Sequence, residues 1–422
     1  MKRIQLISKR NIVAIMLLCV ATSADAKWTP LAEISTFGQG RWGTQIFTVD
    51  NKIYIGGGYI GNFQNVNDLQ SYDPATQTWK FLNSLPGTNA TRTGGMTFTI
   101  NGKAYLAMGC ENYNSFSPTP TYLKDLWEYN HASDTWTKKA DFPDSGRADA
   151  AVFVLNNKAY IVGGQTSGSG STFSSDLWEY DPATNKWTEK KKFPEGGIFH
   201  SAGFASGNKG YVVGGRITGA STNKVFEYNP STNSWAEKAA YPEENLRGGT
   251  AFVISGKAYV GMGIVNEAGG TNKYMDYFFT YDPATNKWSY WPGGEVPAQG
   301  RTYGISTVVN NKAYFGGGWR LDGSTQTFFR DFYEIDPTAA VGVNNTNTPK
   351  NIVVYPNPAT ENLYIDGTHN GQSFTMTDIT GKMIKSGVIN GNSINISALV
   401  PGAYTLHIST ADGNASSMII KQ

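Results

Sequence analysis

Arginine recurs in this chain at a nearly fixed distance before a tyrosine that leads into a run of glycines. Four arginines lie 13 residues before their tyrosine and a fifth lies 12 residues before it; these are Arg41, Arg92, Arg147, Arg301 and, at the shorter spacing, Arg247. Converging guanidinium groups attract carboxylate and sulfate groups, because their planar N–H donors match those acceptors. The five arginines are therefore candidates for a ligand site. Their repetition in nearly every repeat favours a structural role instead, in which each one bonds to carbonyls of adjacent repeats.

Three residues break this regularity and are better site candidates, because a ligand site usually departs from the symmetry of a repeat. The fourth repeat has Ile198 in place of the arginine, and His200 follows two residues later. Asp149 and Tyr303 occupy the matching position in the third and sixth repeats. Alternation along a strand puts these side chains on the same side as the arginine position. A lone histidine is weak evidence for catalysis, so no catalytic residue is assigned.

The repeat that carries these residues has a period near 50. Six tyrosines lead into segments such as YIGGG and YIVGG, with steps of 51, 55, 51, 48 and 55 residues between them. Five repeats also contain a second tyrosine seven residues before a tryptophan, as in Tyr72 and Trp79. This pattern of glycine, tyrosine and tryptophan resembles the kelch repeat. The resemblance covers residues 27–343 and implies an all-β fold, a six-bladed β-propeller.

Each repeat has the pattern of four short strands. Pairs such as Asp50-Asn51 predict tight hairpins between the first two strands, and DPAT segments predict the turn before the tryptophan strand. These turns share one face of the ring, whereas the arginines and the long loops between the second and third strands share the other. Long loops on a rigid scaffold commonly bind ligands. A glycan or protein ligand is expected there, with an outer set of loop aromatics as the alternative contact: Tyr113, Phe116, Tyr122, Trp319 and Phe328.

The sixth repeat is incomplete. Ala340 stands where its tryptophan is expected, and Trp28 with TPLAEIS matches the segments that end other repeats. The sequence therefore predicts that residues from Trp28 to about Ile34 form the outer strand of the sixth blade. Such a strand would close the ring and remove the free sheet edges between the first and last blades.

A second module follows a polar linker at residues 344–350. Residues 351–422 show short alternating strands, which predict a small β-sandwich. The segments VYPNPATENLYI, DITGKMI and LVPGAYTLHI, in this order, resemble the type IX secretion C-terminal sorting domain. The resemblance implies export by the type IX secretion machinery across the outer membrane of a diderm bacterium. The alternative is an ordinary immunoglobulin-like accessory domain.

Residues 1–26 have the features of a secretory signal peptide: a basic start, an apolar stretch from Ile12 to Val20 and the sequence Ala24-Asp25-Ala26. The apolar stretch is too short to span a membrane. Removing this segment takes away four of the 35 basic and one of the 33 acidic residues, which leaves a net charge of −1. A near-neutral chain lacks the electrostatic features of a nucleic-acid binder. Only Cys110 then remains, so no intrachain disulfide is possible, and no metal or cofactor is expected.

These features predict a secreted or cell-surface protein that binds a ligand and has no catalysis of its own. Kelch propellers include copper radical oxidases, but His131 and His200 are expected on opposite faces and cannot share a copper ion. Six-bladed kelch proteins also include the N-acetylneuraminate epimerases, so a sugar-acid mutarotase is the alternative. A structural adhesion protein without a defined pocket is the third possibility.

Overall fold

The computed structural model describes residues 27–422 apart from 35–38, 61–63, 88–90, 112–119, 167–171, 219, 267–271, 292–293, 338–353, 366–370, 379–381 and 411–412. The predicted signal peptide and linker, together with Tyr113 and Phe116, lie outside the described residues. No helix in the described part of the chain is long and apolar enough to cross a membrane. All regular secondary-structure elements in these described residues are β-strands.

The first half of the chain forms three four-stranded sheets after an initial strand, β1 (Lys27–Pro30). The first sheet contains β2 (Gln45–Val49), β3 (Lys52–Gly56), β4 (Leu69–Asp73) and β5 (Thr78–Leu82). The second has β6 (Met96–Ile100), β7 (Lys103–Ala107), an inserted hairpin of β8 (Cys110–Glu111) and β9 (Thr121–Tyr122), then β10 (Leu126–Asn130) and β11 (Thr135–Lys138). The third has β12 (Ala151–Leu155), β13 (Lys158–Val162), β14 (Leu177–Asp181) and β15 (Lys186–Lys190).

Three further sheets repeat this order, each with short strands added on one face. The fourth follows β16 (Ile198–Phe199) and has β17 (Ala202–Ser206), β18 (Lys209–Val213), the short β19 (Arg216–Ile217) and β20 (Ala220–Ser221), β21 (Val225–Asn229) and β22 (Ser234–Glu237). The fifth has β23 (Thr250–Ile254), β24 (Lys257–Gly261), the hairpin β25 (Ile264–Asn266) and β26 (Asn272–Tyr274), β27 (Phe278–Asp282) and β28 (Lys287–Tyr290). The sixth has β29 (Ile305–Val309), β30 (Lys312–Gly316), the hairpin β31 (Trp319–Asp322) and β32 (Thr325–Phe328), and β33 (Phe332–Asp336).

The six sheets form a closed ring, and we number them as blades one to six. The first strand of each blade contacts the first strand of the next, in the order β2, β6, β12, β17, β23 and β29, and β29 contacts β2 again. The first strands therefore surround the axis, and the fourth strands form the outside of the ring. This is the radial arrangement of a β-propeller.

Blade six takes its fourth strand from the other end of the chain. β1 pairs antiparallel with β33, with Trp28 opposite Ile335. The Trp28 ring lies 5.8 Å from that of Tyr333 and 6.1 Å from that of Phe315. Trp28 thus stands in the place of the tryptophan that the sixth repeat lacks, and the two ends of the repeat region are held in one sheet.

The repeated tryptophans connect neighbouring blades. Trp187 Nε1 donates a hydrogen bond of 3.0 Å to the carbonyl of Ala140 in the preceding blade, and the amide of Ala140 donates to Asn185 Oδ1 at 2.9 Å. Trp235 with Lys191, and Trp288 with Ala239, make the same contacts. Because the pattern recurs at three blade junctions, these tryptophans serve the fold.

Two further sheets follow residue 353 and enclose a core of their own. They contain β34 (Val354–Tyr355), β35 (Asn362–Ile365), β36 (Ser373–Asp378), β37 (Met383–Val388), β38 (Ser393–Asn395), β39 (Gly402–Thr410) and β40 (Gly413–Lys421). The strand orders are β34-β35-β38 and β37-β36-β39-β40. Leu363, Met376, Leu406 and Ile419 are fully buried between the sheets.

Candidate functional site

One residue from each blade contributes to a ring of backbone hydrogen bonds around the axis, just before the first strand. In five of the six steps, the amide donates to the carbonyl of the preceding member at 2.8–3.1 Å; the members are Gly43, Gly94, Asp149, His200, Gly248 and Tyr303. All six have φ between 54° and 65°. Glycine adopts this conformation readily, whereas residues such as histidine and tyrosine do so at an energetic cost that is accepted in some turns and at functional sites. The three members that are not glycine are therefore the first place to look for function.

Asp149, His200 and Tyr303 meet at the axis in one hydrogen-bonded cluster. His200 Nε2 lies 3.2 Å from Asp149 Oδ2, and the Tyr303 hydroxyl lies 2.8 Å from each ring nitrogen of His200. A consistent chain results when Nε2–H donates to the carboxylate and the phenol donates to Nδ1. The side chains of His200 and Asp149 are 15% and 19% exposed, so a ligand can reach them. The residues that break the repeat in blades three, four and six thus come together.

The glycine members of the ring give these side chains room. A Cβ at Gly94 would lie 2.6 Å from Asp149 Oδ1. A Cβ at Gly248 would lie 2.1 Å from Thr302 Oγ1 and 3.7 Å from Tyr303 Cζ. Tyr303, in blade six, therefore reaches His200, in blade four, across a blade that has no side chain at this position.

Aromatic rings border the cluster. The Trp42 ring lies 5.1 Å from that of Tyr303 and 6.1 Å from that of Trp319, on the side of blades one and six. The Phe199 ring lies 3.9 Å from that of His200 on the side of blade four. We call the cluster of Asp149, His200 and Tyr303, together with these bordering rings, the axial site. Trp319, one of the loop aromatics predicted as an alternative ligand contact, thus borders this site.

Four of the five predicted arginines lie inside the blades. Arg41, Arg147 and Arg301 have no exposed surface, and Arg92 is 1% exposed. Each forms an ion pair with an aspartate at the start of the third strand of its own blade, and each donates to a carbonyl 16 residues later; the aspartates are Asp68, Asp125, Asp176 and Asp331. This placement corrects the expectation of an arginine ring at the mouth, because a buried guanidinium with bonded carboxylate and carbonyl partners has no surface for a ligand.

The sequence contains a signal for these pairs that the search for cationic residues missed. An aspartate precedes the apolar residue that starts the third strand in blades one, two, three and six. Blade four, which has Ile198 in place of arginine, has Lys224 in place of aspartate. Burial raises the pKa of Asp176, but the hydrogen bonds and charge of Arg147 lower it by more than burial raises it. The pKa of Asp176 therefore lies below its ordinary value. The Arg–Asp pair is therefore a repeated structural element of the blade.

Arg247 is the exception among the five. Blade five has Leu246 at the arginine position and Tyr277 at the aspartate position. Arg247, one residue after Leu246, donates from Nη2 to Asn272 Oδ1 at 3.2 Å. Arg247 is half-buried, and its backbone pairs with Ile264 next to the ring. The structure thus leaves one predicted arginine, Arg247, near the axial site with Asp149, His200 and Tyr303.

The two histidines of the propeller are separate. His131 Nε2 lies 4.0 Å from Asp50 Oδ2, in the turns on the opposite face from His200. Across the residues that the structure describes, no three His, Cys, Asp or Glu side chains lie close enough together to hold a metal ion. Burial raises the pKa of the Cys110 thiol above its ordinary value, so it is protonated at neutral pH.

Comparison with known proteins identifies the repeats. Residues 8–198 match the KLHDC2/KLHL20/DRC7 kelch-repeats domain, and residues 201–239 match the kelch motif. Residues 353–422 match the secretion system C-terminal sorting domain. The chain contains kelch repeats and a secretion sorting domain. Both resemblances predicted from the sequence are confirmed, and the sorting domain indicates a secreted or cell-surface protein.

Several curated proteins are similar to part of this kelch propeller. An N-acetylneuraminate epimerase of Escherichia coli O1:K1 is 29% identical over 196 residues, which is 45% of each chain. A sulfolyase of Thlaspi arvense that acts on N-(sulfonatooxy)prop-2-enimidothioate is 30% identical over 165 residues, 35% of this chain and 46% of that protein. The alignments thus span about half the length of these relatives.

A solved structure titled "Structure of YjhT" has the same fold. It covers 71% of this chain and 95% of its own, with a TM-score of 0.60 and 22% sequence identity. Identity at this level supports the propeller fold and carries no activity to this chain.

Proposed function

We propose that this propeller binds a carbohydrate at the axial site while exposed outside the cell. The observation that carries the proposal is the cluster of Asp149, His200 and Tyr303. These residues belong to three different blades and are 51 and 103 positions apart. Each has a φ that side chains rarely adopt, and the other ring positions are glycine. A structural role alone would not require a carboxylate, an imidazole and a phenol in contact on an open face.

The bordering rings support a sugar as the ligand. Carbohydrate rings combine hydroxyl groups with an apolar C–H face, so they fit a site that has polar groups beside aromatic rings. In the axial site, Trp42 and Trp319 lie on one side of Tyr303, and His200 and Asp149 lie on the other. A protein ligand remains the alternative, and it would be expected to need the long loops as well.

The sorting domain supports the location. A signal peptide at residues 1–26 would bring the chain out of the cytoplasm, and residues 353–422 would direct it through the type IX secretion machinery of a diderm bacterium. Surface attachment would then hold the axial site where extracellular glycans are available. Residues 27–343 and 351–422 are proposed as separate domains, joined by the polar linker at 344–350.

A sugar-acid mutarotase is the second candidate. The acid–base character of the cluster favours it, and several similar proteins are named N-acetylneuraminate epimerase. Ring opening requires a base that takes the proton of the anomeric hydroxyl and an acid that protonates the ring oxygen as its C–O bond breaks. A sugar bound between His200 and Tyr303 would replace their mutual hydrogen bond. His200 Nδ1, with Nε2 held by Asp149, would then be the base and Tyr303 the acid; ring closure on the other face would reverse both transfers.

His200→Ala should weaken glycan binding by about tenfold or more, because it removes hydrogen bonds to the ligand and leaves Asp149 and Tyr303 without their shared partner. The measurement is isothermal titration with the glycans that a surface array selects for the propeller. His131→Ala is the matched control, since it removes a histidine from the opposite face and should not change the affinity. Equal affinity of wild type and His200→Ala would contradict the proposal, and failure of every glycan to bind would favour a structural adhesion protein.

Anomer exchange separates the two candidates. If the protein is a mutarotase, exchange between the α and β anomers of N-acetylneuraminate, followed by proton NMR, should accelerate in proportion to protein concentration. His200→Ala and Tyr303→Phe should each remove that acceleration. Binding of N-acetylneuraminate without acceleration of anomer exchange would support a binding role without catalysis.

A further inference from the structure

Arg247 lies one residue after the position of the four buried arginines, which Leu246 occupies in blade five, and it has no carboxylate partner among the described residues. Tyr277 replaces the aspartate in blade five, and its hydroxyl donates to Glu243 Oε1 at 2.5 Å, so that carboxylate is bonded elsewhere. Arg247 makes one side-chain hydrogen bond, to the neutral amide of Asn272, and its buried Nε has no hydrogen-bond partner in the described region. A guanidinium beside an uncharged partner keeps its full charge and part of its hydrogen-bonding capacity.

Arg216, in the neighbouring blade four, is a second arginine without a carboxylate partner among the described residues. It follows the glycines of blade four, and its backbone pairs with Phe199, the residue before His200. Its side chain is half-buried and makes no hydrogen bond or ion pair with any residue that the structure describes. Lys224, at the aspartate position of the same blade, pairs with Glu195 at 2.9 Å, so Glu195 is bonded to another cation.

Both arginines flank His200. Arg216 lies opposite Phe199, and Gly248, which follows Arg247, donates its amide to the His200 carbonyl at 2.8 Å. Blades four and five are thus the part of the ring where the Arg–Asp pair is missing, and no carboxylate of the described residues pairs with Arg216 or Arg247. The tryptophans Trp42 and Trp319 lie toward blades one and six, on the far side of Tyr303.

We propose that Arg216 and Arg247 form an anion subsite that binds the carboxylate of an acidic sugar. This inference rests on the proposed function and adds the substrate class to it. Arginine binds carboxylates through two parallel N–H donors, which gives both affinity and orientation. The carboxylate would lie over blades four and five, the apolar face of the sugar would lie toward Trp42 and Trp319, and its hydroxyl groups would reach His200 and Tyr303.

Sialyllactose and lactose are suitable probes, because they share a neutral part and differ in one acidic sugar. Wild-type protein should bind sialyllactose on the order of tenfold or more tightly than lactose, since charge-assisted hydrogen bonds are the stronger class. The double variant Arg216→Gln/Arg247→Gln should lose this preference, and 0.5 M NaCl should reduce it in wild type. Arg320→Gln is the control: it removes one positive charge that pairs with Asp322 in blade six, and the preference should persist.

The possible results distinguish the anion subsite from sugar binding at the axial site. Equal binding of both probes by wild type, or an undiminished preference in the double variant, would overturn the anion subsite and leave sugar binding intact. Failure of both probes to bind would contradict both. Melting temperatures of the variants close to that of wild type would show that any lost preference does not come from unfolding.

Discussion

Arg147→Ala should lower the free energy of unfolding by about 3–5 kcal/mol, because it leaves a buried carboxylate without its cation. Arg147 Nη2 donates to Asp176 Oδ2 at 3.0 Å and Nη1 donates to the Gly163 carbonyl at 3.0 Å. The Arg147 and Asp176 side chains are 0% and 6% exposed. Removing the guanidinium therefore leaves the Asp176 carboxylate and the Gly163 carbonyl without this donor, in a place that water reaches poorly.

Chemical denaturation followed by tryptophan fluorescence measures this loss. Arg247→Ala is the control, since it removes an arginine that lies one residue after the equivalent position in blade five and breaks no carboxylate pair in the described part of the chain; its effect should be below about 1 kcal/mol. Because the folded state lowers the pKa of Asp176, the pair stabilises above the ordinary pKa of aspartate, and this stability is lost as the pH falls through the lowered value. The difference between wild type and Arg147→Ala should shrink accordingly in acid. Equal stability of the two arginine variants at neutral pH would contradict the structural role.

Removing residues 27–34 should destabilise the propeller by several kcal/mol, because it deletes the outer strand of blade six. β1 contributes four paired residues to β33. Truncation of a fully buried tryptophan costs about 3–5 kcal/mol, and Trp28, which is half-buried against the core of blades five and six, contributes a part of that. Trp28 packs against Phe315 and Tyr333, and its loss would also expose an edge that can pair with other chains.

Thermal unfolding and light scattering test this expectation on a chain without residues 27–34. Phe81→Ala is a suitable control, since Phe81 also lies on the outer strand of a blade but is 62% exposed, and its loss should change stability by less than about 0.5 kcal/mol. Trp28→Ala should give much of the effect of the deletion. A melting temperature equal to that of wild type after the deletion would mean that β1 does not hold the ring closed.

The repeat made the blades predictable, whereas the site could be predicted only in part. Regular spacing of tyrosine, glycine and tryptophan reflects contacts that recur at blade junctions, as Trp187 and Trp235 show. The same regularity favoured a structural role for the arginines but did not identify their partners, because each partner is a residue about 30 positions later. Reading Asp176 together with Arg147 would have identified the pair, since blade four lacks both residue types.

Breaks in the repeat were the better guide to function. Asp149, His200 and Tyr303 were selected because each departs from the regular pattern, and the structure brings all three together. Their contact still required geometry that no spacing supplies: Tyr303 reaches His200 across blade five because Gly248 has no side chain. Arg216 escaped notice because it lies in a loop region where the repeat gives no reference position.

The most direct test of the axial site is histidine NMR during titration with sialyllactose. After loss of the signal peptide the chain has four histidines, His131, His200, His369 and His407, and His200→Gln identifies the resonance of His200. We expect the His200 ring resonances to shift with ligand, while those of His131, on the opposite face, stay unchanged. Saturable binding that leaves His200 unchanged, or that shifts His131 instead, would contradict the account.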